Sequence, residues 1–147
     1  MAMRFLRMGA VLCAALAFGL SGAASLAEEG SSMRISVSDG TSEVAFELED
    51  TTAARSLYAM LPFTVKVENY SSNEKIFHPP EKIATGSDEV EKACPAGTLA
   101  LFSPWGNVVM FYGPADKYPG LYVLGRAVSS SERISRMTGS VTVSRAD

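Results

Sequence analysis

The chain carries few side chains able to make or break a bond. Its one histidine is His78, and its two cysteines are Cys13 and Cys94. Nucleophilic catalysis needs a hydroxyl or thiol beside a base that a third group orients, and nothing is spaced to complete such a relay around His78. Cys94, just before Pro95, reads as a semi-buried loop residue. No grouping of His, Cys, Asp and Glu has the spacing of a metal site. No glycine-rich phosphate loop marks a nucleotide or flavin pocket. No cofactor is therefore expected.

The stronger signal is aromatic. Phe102, Trp105, Met110, Phe111, Tyr112, Tyr118 and Tyr122 crowd one stretch. Aromatic side chains bury large apolar areas while Trp and Tyr keep a polar edge. Together they suit a shallow apolar groove for an extended or proline-containing peptide, or for a small apolar ligand. Core packing competes for the same residues, because alternation places Val109 and Phe111 on one strand face and Val108, Met110 and Tyr112 on the other. Trp105 reads first as a lid on one end of the fold and second as a binding platform. Arg55 and Tyr58 sit on a helix, where Arg55 is either solvated or a carboxylate clamp at a rim. The candidate ligand-binding set is Arg55, Tyr58, Phe102, Trp105, Met110, Phe111 and Tyr112. Asn73, Glu74 and Lys75 read as loop-fixing residues that bond to backbone.

The elements that must hold these residues are mostly strands. Residues 33–37 and 43–48 alternate apolar and polar positions around Asp39-Gly40, which predicts a hairpin with Ile35, Val37, Val44, Phe46 and Leu48 facing the core. A helix follows, capped by Asp50, Thr51 or Thr52, with Ala54, Leu57, Tyr58 and Leu61 on one face and Pro62 closing it. Residues 63–70 alternate again. Short strands are expected at 75–77, 98–102, 108–112, 121–128 and 141–144, with a polar surface loop at 86–91. A short helix near 130–137 has Ser129 and Glu132 in capping-box spacing, and Gly139 can end it in left-handed geometry. Many short strands joined by Gly and Pro turns indicate a sandwich or a closed barrel, and closure removes exposed strand edges.

Ahead of this domain stands a secretory signal. Arg4 and Arg7 precede an uncharged run from Met8 to Leu20, and Ser25-Leu26-Ala27 places small residues where a signal peptidase reads, so cleavage is expected after Ala27. The apolar core is shorter than the ~20 residues of a membrane anchor. Leu12-Cys13 lacks the small residues that precede a lipidated cysteine, and Arg4 and Arg7 are not adjacent, as twin-arginine export would want. Residues 28–32 then form a short flexible start. Cleavage takes two of the 13 basic residues and none of the 16 acidic ones, moving the net charge from −3 to about −5. No basic stripe remains, so nucleic acid is not an expected partner, and a membrane is met only through the signal before cleavage. Cys94 is then alone and can form no internal disulfide. The expected location is periplasmic or secreted.

Asn73-Glu74-Lys75-Ile76, Pro104-Trp105-Gly106-Asn107, Phe111-Tyr112 and Gly120-Leu121-Tyr122-Val123-Leu124-Gly125, in that order, resemble the bacterial cyclophilin-like fold family. These are small barrels sometimes fused to, or found beside, flavodoxin-like proteins. The resemblance spans about 33–145 and implies a mainly β, closed eight-stranded barrel with one or two short capping helices. It also raises prolyl isomerase activity. True cyclophilins carry a Phe-His-Arg strand motif, whose arginine polarises the proline amide, and a glutamine nearby. Here Pro79 follows Phe77-His78, and the chain contains no glutamine. Isomerisation twists a resonant bond and needs a cation or donor aimed at it. The expectation is a peptide- or small-ligand-binding accessory module without isomerase activity. The alternative is a prolyl isomerase in which Arg55 or His78 supplies the polarising group.

Overall fold

The computed structural model describes residues 32–87 and 93–146. The expected signal segment with Arg4, Arg7 and Cys13, and the end of the expected surface loop at 86–91, lie outside the described residues.

Eight strands run β1 (Arg34–Ser38), β2 (Glu43–Leu48), β3 (Phe63–Tyr70), β4 (Glu74–Phe77), β5 (Thr98–Phe102), β6 (Asn107–Phe111), β7 (Leu121–Ala127) and β8 (Ser140–Arg145). They close into a barrel in the order β1-β2-β7-β5-β6-β4-β3-β8, each neighbour antiparallel and β8 returning to β1. This is the mainly β, closed eight-stranded barrel that the sequence pattern and the resemblance imply. Its interior is packed, not hollow: Ile35, Val37, Val44 and Phe46 from the first hairpin meet Leu99, Leu124 and Val143, all with no exposed surface.

The helix α1 (Thr52–Ala59) joins that interior through Ala53, Ala54 and Leu57. Thr51 supplies the cap, its Oγ1 accepting from Ala54 N at 3.2 Å, which satisfies an otherwise orphan amide. Ile83, in the long connection between β4 and β5, is also buried in the same core, and Ser56 Oγ accepts from Ala84 N to hold it there.

Three details differ from the sequence expectation. The first hairpin closes through the four residues 39–42, with Gly40 at φ +92°, rather than a two-residue turn. The second helix is a 3₁₀ segment, Ser131–Arg136, and its expected capping box does not form. Ser130 takes a left-handed conformation there, and the Ser129 hydroxyl instead accepts from Ala45 N across the fold. Gly139 does have positive φ but lies beyond the helix end at Met137, where its carbonyl accepts from Val67 N.

The feature that positions the site is a second apolar cluster outside the barrel. All five residues of β6 are buried: Val108 and Met110 face the interior, whereas Val109 and Phe111 join Ile76, Cys94, Ala100 and Leu121 on the outer side. A strand hidden on both faces needs something laid over the sheet. Here the segments around Cys94 and Ala115 do so, bonded to each other by Cys94 N to Ala115 O at 2.7 Å and Ala115 N to Cys94 O at 2.8 Å.

Candidate functional site

Beside that covering, the outer face of the sheet opens into a groove of about 410 Å³. Its floor comes from alternate residues of β6, Asn107, Val109 and Phe111, with Leu121 at the start of β7. Its walls are Tyr70, Phe102, Trp105 and Tyr118. Trp105 meets Tyr70 edge-on at 5.3 Å and Phe102 edge-on at 5.2 Å, and Phe102 meets Tyr118 at 5.8 Å. These are favourable edge-to-face separations, so the rings fix one another while leaving Trp105 54% exposed and Tyr118 63% exposed.

Backbone bonds set the wall heights. Asn73 O accepts from Tyr112 N, and Asn73 Nδ2 donates to Pro114 O at 3.1 Å. That side chain fixes the loop leading to Asp116, Lys117 and Tyr118, as its sequence context implied. On the other side Ser103 N donates to Gly120 O. Gly120, at φ +86°, lets the Tyr118 turn lie against Pro104, since a Cβ there would come within 2.8 Å of Pro104 Cδ.

The polar groups are few. Asn107 is 2% exposed, and its Oδ1 is buried with no hydrogen-bond partner among the described residues. Such an acceptor costs on the order of 1–3 kcal/mol when left unmade. Glu74 lies opposite Phe111 in the β4–β6 pairing, four residues along β6 from Asn107, or roughly 13 Å at strand rise. Burial pushes its carboxyl above the ordinary glutamate value. Asp116 and Lys117 line the groove from the loop side.

Of the candidate binding residues, Phe102, Trp105 and Phe111 are brought together here. The other four are not. Met110 has no exposed surface and faces the barrel interior, because it stands one step from Phe111 on an alternating strand. Tyr112 is half-buried against the main core. Tyr58 lies under the Arg145 guanidinium, 4.3 Å from its ring centre. Arg55 pairs with Asp50 on the exposed side of α1. Trp105 has the ring partners of a groove wall, Tyr70 and Phe102, in place of the barrel interior that a lid would cover. Lys75 is no loop anchor but a β4 residue only 4% exposed, on the same side as Phe77. Asn107, Tyr70 and Glu74 were not among the candidates. An asparagine opening an otherwise apolar strand, 107–111, was the available sequence signal for the first.

Cys94 is 2% exposed, and burial raises its thiol pKa, with Arg126 acting the other way. A protonated, covered thiol is a poor nucleophile. Among the described residues no group of His, Cys, Asp and Glu is arranged to hold a metal ion.

Residues 37–145 match the model of a family described as the cyclophilin-like family. The fold is similar to the solution structure of the hypothetical protein AF2241 from Archaeoglobus fulgidus. That match has a TM-score of 0.67 and 21% identity, and it covers 82% of this chain and 99% of that one. At that identity the likeness concerns the fold alone. No curated protein matches the chain.

Proposed function

This chain belongs to the cyclophilin-like family, and from that premise we propose that its outer groove is a binding site for an extended peptide segment, without isomerase activity, in a protein working outside the cytoplasm. The observation that carries the reading is the buried, unpaired Asn107 Oδ1 on the floor of an aromatic-walled groove. A ligand that donates an N–H there recovers the bond the protein leaves unmade, while its apolar parts cover Val109 and Phe111. The groove has the chemistry of a ligand site, mostly apolar with a few placed polar groups.

Binding without turnover is favoured by where the cations lie. Arg55 is committed to Asp50, and exposed His78 follows β4 away from the groove lining. Lys117 is the one basic residue among the described residues lining the groove. The arginine and glutamine that true cyclophilins carry have no counterpart among the described residues of that lining.

The test uses the chain's single tryptophan. Titration with a proline-containing peptide is expected to shift Trp105 fluorescence to saturation, and Asn107→Ala to weaken binding about tenfold, the equivalent of one hydrogen bond. A small apolar ligand binding in the peptide's place would redirect the reading. In a proline-peptide isomerisation assay the protein is expected to give no acceleration; turnover abolished by Lys117→Ala overturns it. Export is tested by N-terminal sequencing of protein recovered outside the cytoplasm, with Glu28 expected as the first residue.

A further inference from the structure

We propose that the group this groove recognises is an alkylammonium, held between the surrounding rings and the Glu74 carboxylate. The proposal rests on reading the groove as a ligand site and names the chemistry of its occupant.

Three observations converge on a cation. The first is the placement of exposed rings. Tyr70, Trp105 and Tyr118 are three of the four large apolar side chains that stand exposed among the described residues, and all three surround this one cavity. The second is their mutual angle. Trp105 lies at 83° to Tyr70 and 82° to Phe102, and Phe102 lies at 61° to Tyr118. Walls at steep angles offer no parallel pair of rings to a flat aromatic guest. The negative face of each ring attracts a cation, most strongly once water is excluded.

The third is charge. Glu74 and Asp116 contribute carboxylates to the lining and Lys117 the single ammonium. Neither carboxylate forms an ion pair with Lys117, and no described cation pairs with Glu74. Glu74 is therefore a partly buried acid without a counter-ion, and the rise in its pKa has burial as its cause. A bound ammonium would supply that counter-ion and reverse the rise. Two sources offer this group: a lysine side chain within a bound peptide, and a free amine.

Trp105 fluorescence on the purified protein tests the idea at constant ionic strength, with n-butylammonium and uncharged n-butanol as probes. A lysine-containing peptide and its norleucine twin are titrated beside them. Butylammonium is expected to bind at least about tenfold more tightly than butanol, and the lysine peptide than its twin, a gap of about 1.4 kcal/mol. Glu74→Gln should lose most of that preference. Circular dichroism is expected to confirm that the variant folds. Lysine-peptide binding far above that of the free amine assigns the group to a peptide side chain; parity assigns it to a free amine. Butanol matching butylammonium, or Glu74→Gln binding the ammonium unchanged, overturns the proposal. If the norleucine peptide binds as well as the lysine peptide, the groove remains a peptide site and only the cation is lost. If no probe moves Trp105, both readings fall.

Discussion

Asp39 ties together parts of the chain that are nearly a hundred positions apart. Its Oδ1 accepts from Ser42 N at 2.6 Å and Thr41 N at 2.9 Å, and its Oδ2 accepts from Thr138 N at 3.1 Å. The bonds from Ser42 and Thr41 hold the carboxyl below the ordinary aspartate value against the opposing effect of burial, with a lesser contribution from Thr138. A depressed acid contributes stability that is present above its unfolded pKa and lost as pH falls through the native one. Asp39→Asn is therefore expected to melt earlier at neutral pH, with the gap from the parent closing as pH falls below about 4. Thermal melts across pH 2–7 check this. Glu74 has the opposite sign, because its folded pKa is raised. Its ionisation costs stability as pH climbs past the unfolded value, so Glu74→Gln should melt later at pH 7 and match the parent at pH 3. A substitution that stabilises the fold while weakening ammonium binding would mark a residue kept for its ligand. At this level the site was only partly legible. Aromatic crowding pointed to Phe102, Trp105 and Phe111, but one-residue steps decide which face a strand residue serves. Met110 and Phe111 therefore looked alike in composition and parted in space. Asn107 was hidden because its significance lies in a missing partner, and a missing partner is a property of packing.

Strand and helix placement followed local rules closely. The span of β3 is the one its alternation indicates, and Thr51 caps α1 as its position before the apolar face suggests. The failures came where distant backbone competed for the same side chain. Ser129 and Glu132 have capping-box spacing, yet Ala45 N takes the Ser129 hydroxyl. Nor did pattern reveal where two strands nearly touch. Gly125 in β7 faces β2 so closely that a Cβ would lie 2.9 Å from both Glu47 C and Leu48 Cα. Both neighbours are backbone and cannot rotate aside. Gly125→Ala is thus expected to destabilise the fold by about 3 kcal/mol or more, at the upper end of overpacking effects, by parting β2 from β7. Denaturant melts would show the loss, and an unchanged midpoint would refute the close approach. Gly139 offers a contrast: nothing lies within 4 Å of its missing Cβ, and only its φ of +73° resists substitution.

The whole barrel depends on its last strand. β8 pairs with β1 on one side and β3 on the other, and Ala146 N donates to Arg34 O just past the pairing. Deleting residues 140–147 would leave the edges of β1 and β3 bare and uncover Val65, Val37 and the rest of the interior. Such a truncation is expected to be unfolded or aggregated, with no cooperative melt. Reducing agent should leave the melting of the intact protein unchanged, because Cys94 is the one cysteine among the described residues and is free. The barrel class was legible from many short alternating strands and turn residues. The order in which they pair was not, since β2 beside β7 and β4 beside β6 follow from no local pattern.

The joining of β8 to β1 also has a consequence in time. The two ends of one ladder are separated by nearly the entire domain, so the closing contact carries the largest loop-closure cost in the molecule. A ribosome delivers β1 first and β8 last, and until Arg145 has emerged the sheet has two raw margins and no enclosed interior. Hairpins such as β1–β2 can form early, but the barrel itself waits for β8. Closure therefore comes after the other seven strands have been made, and until then the nascent chain stays open to whatever machinery meets it first.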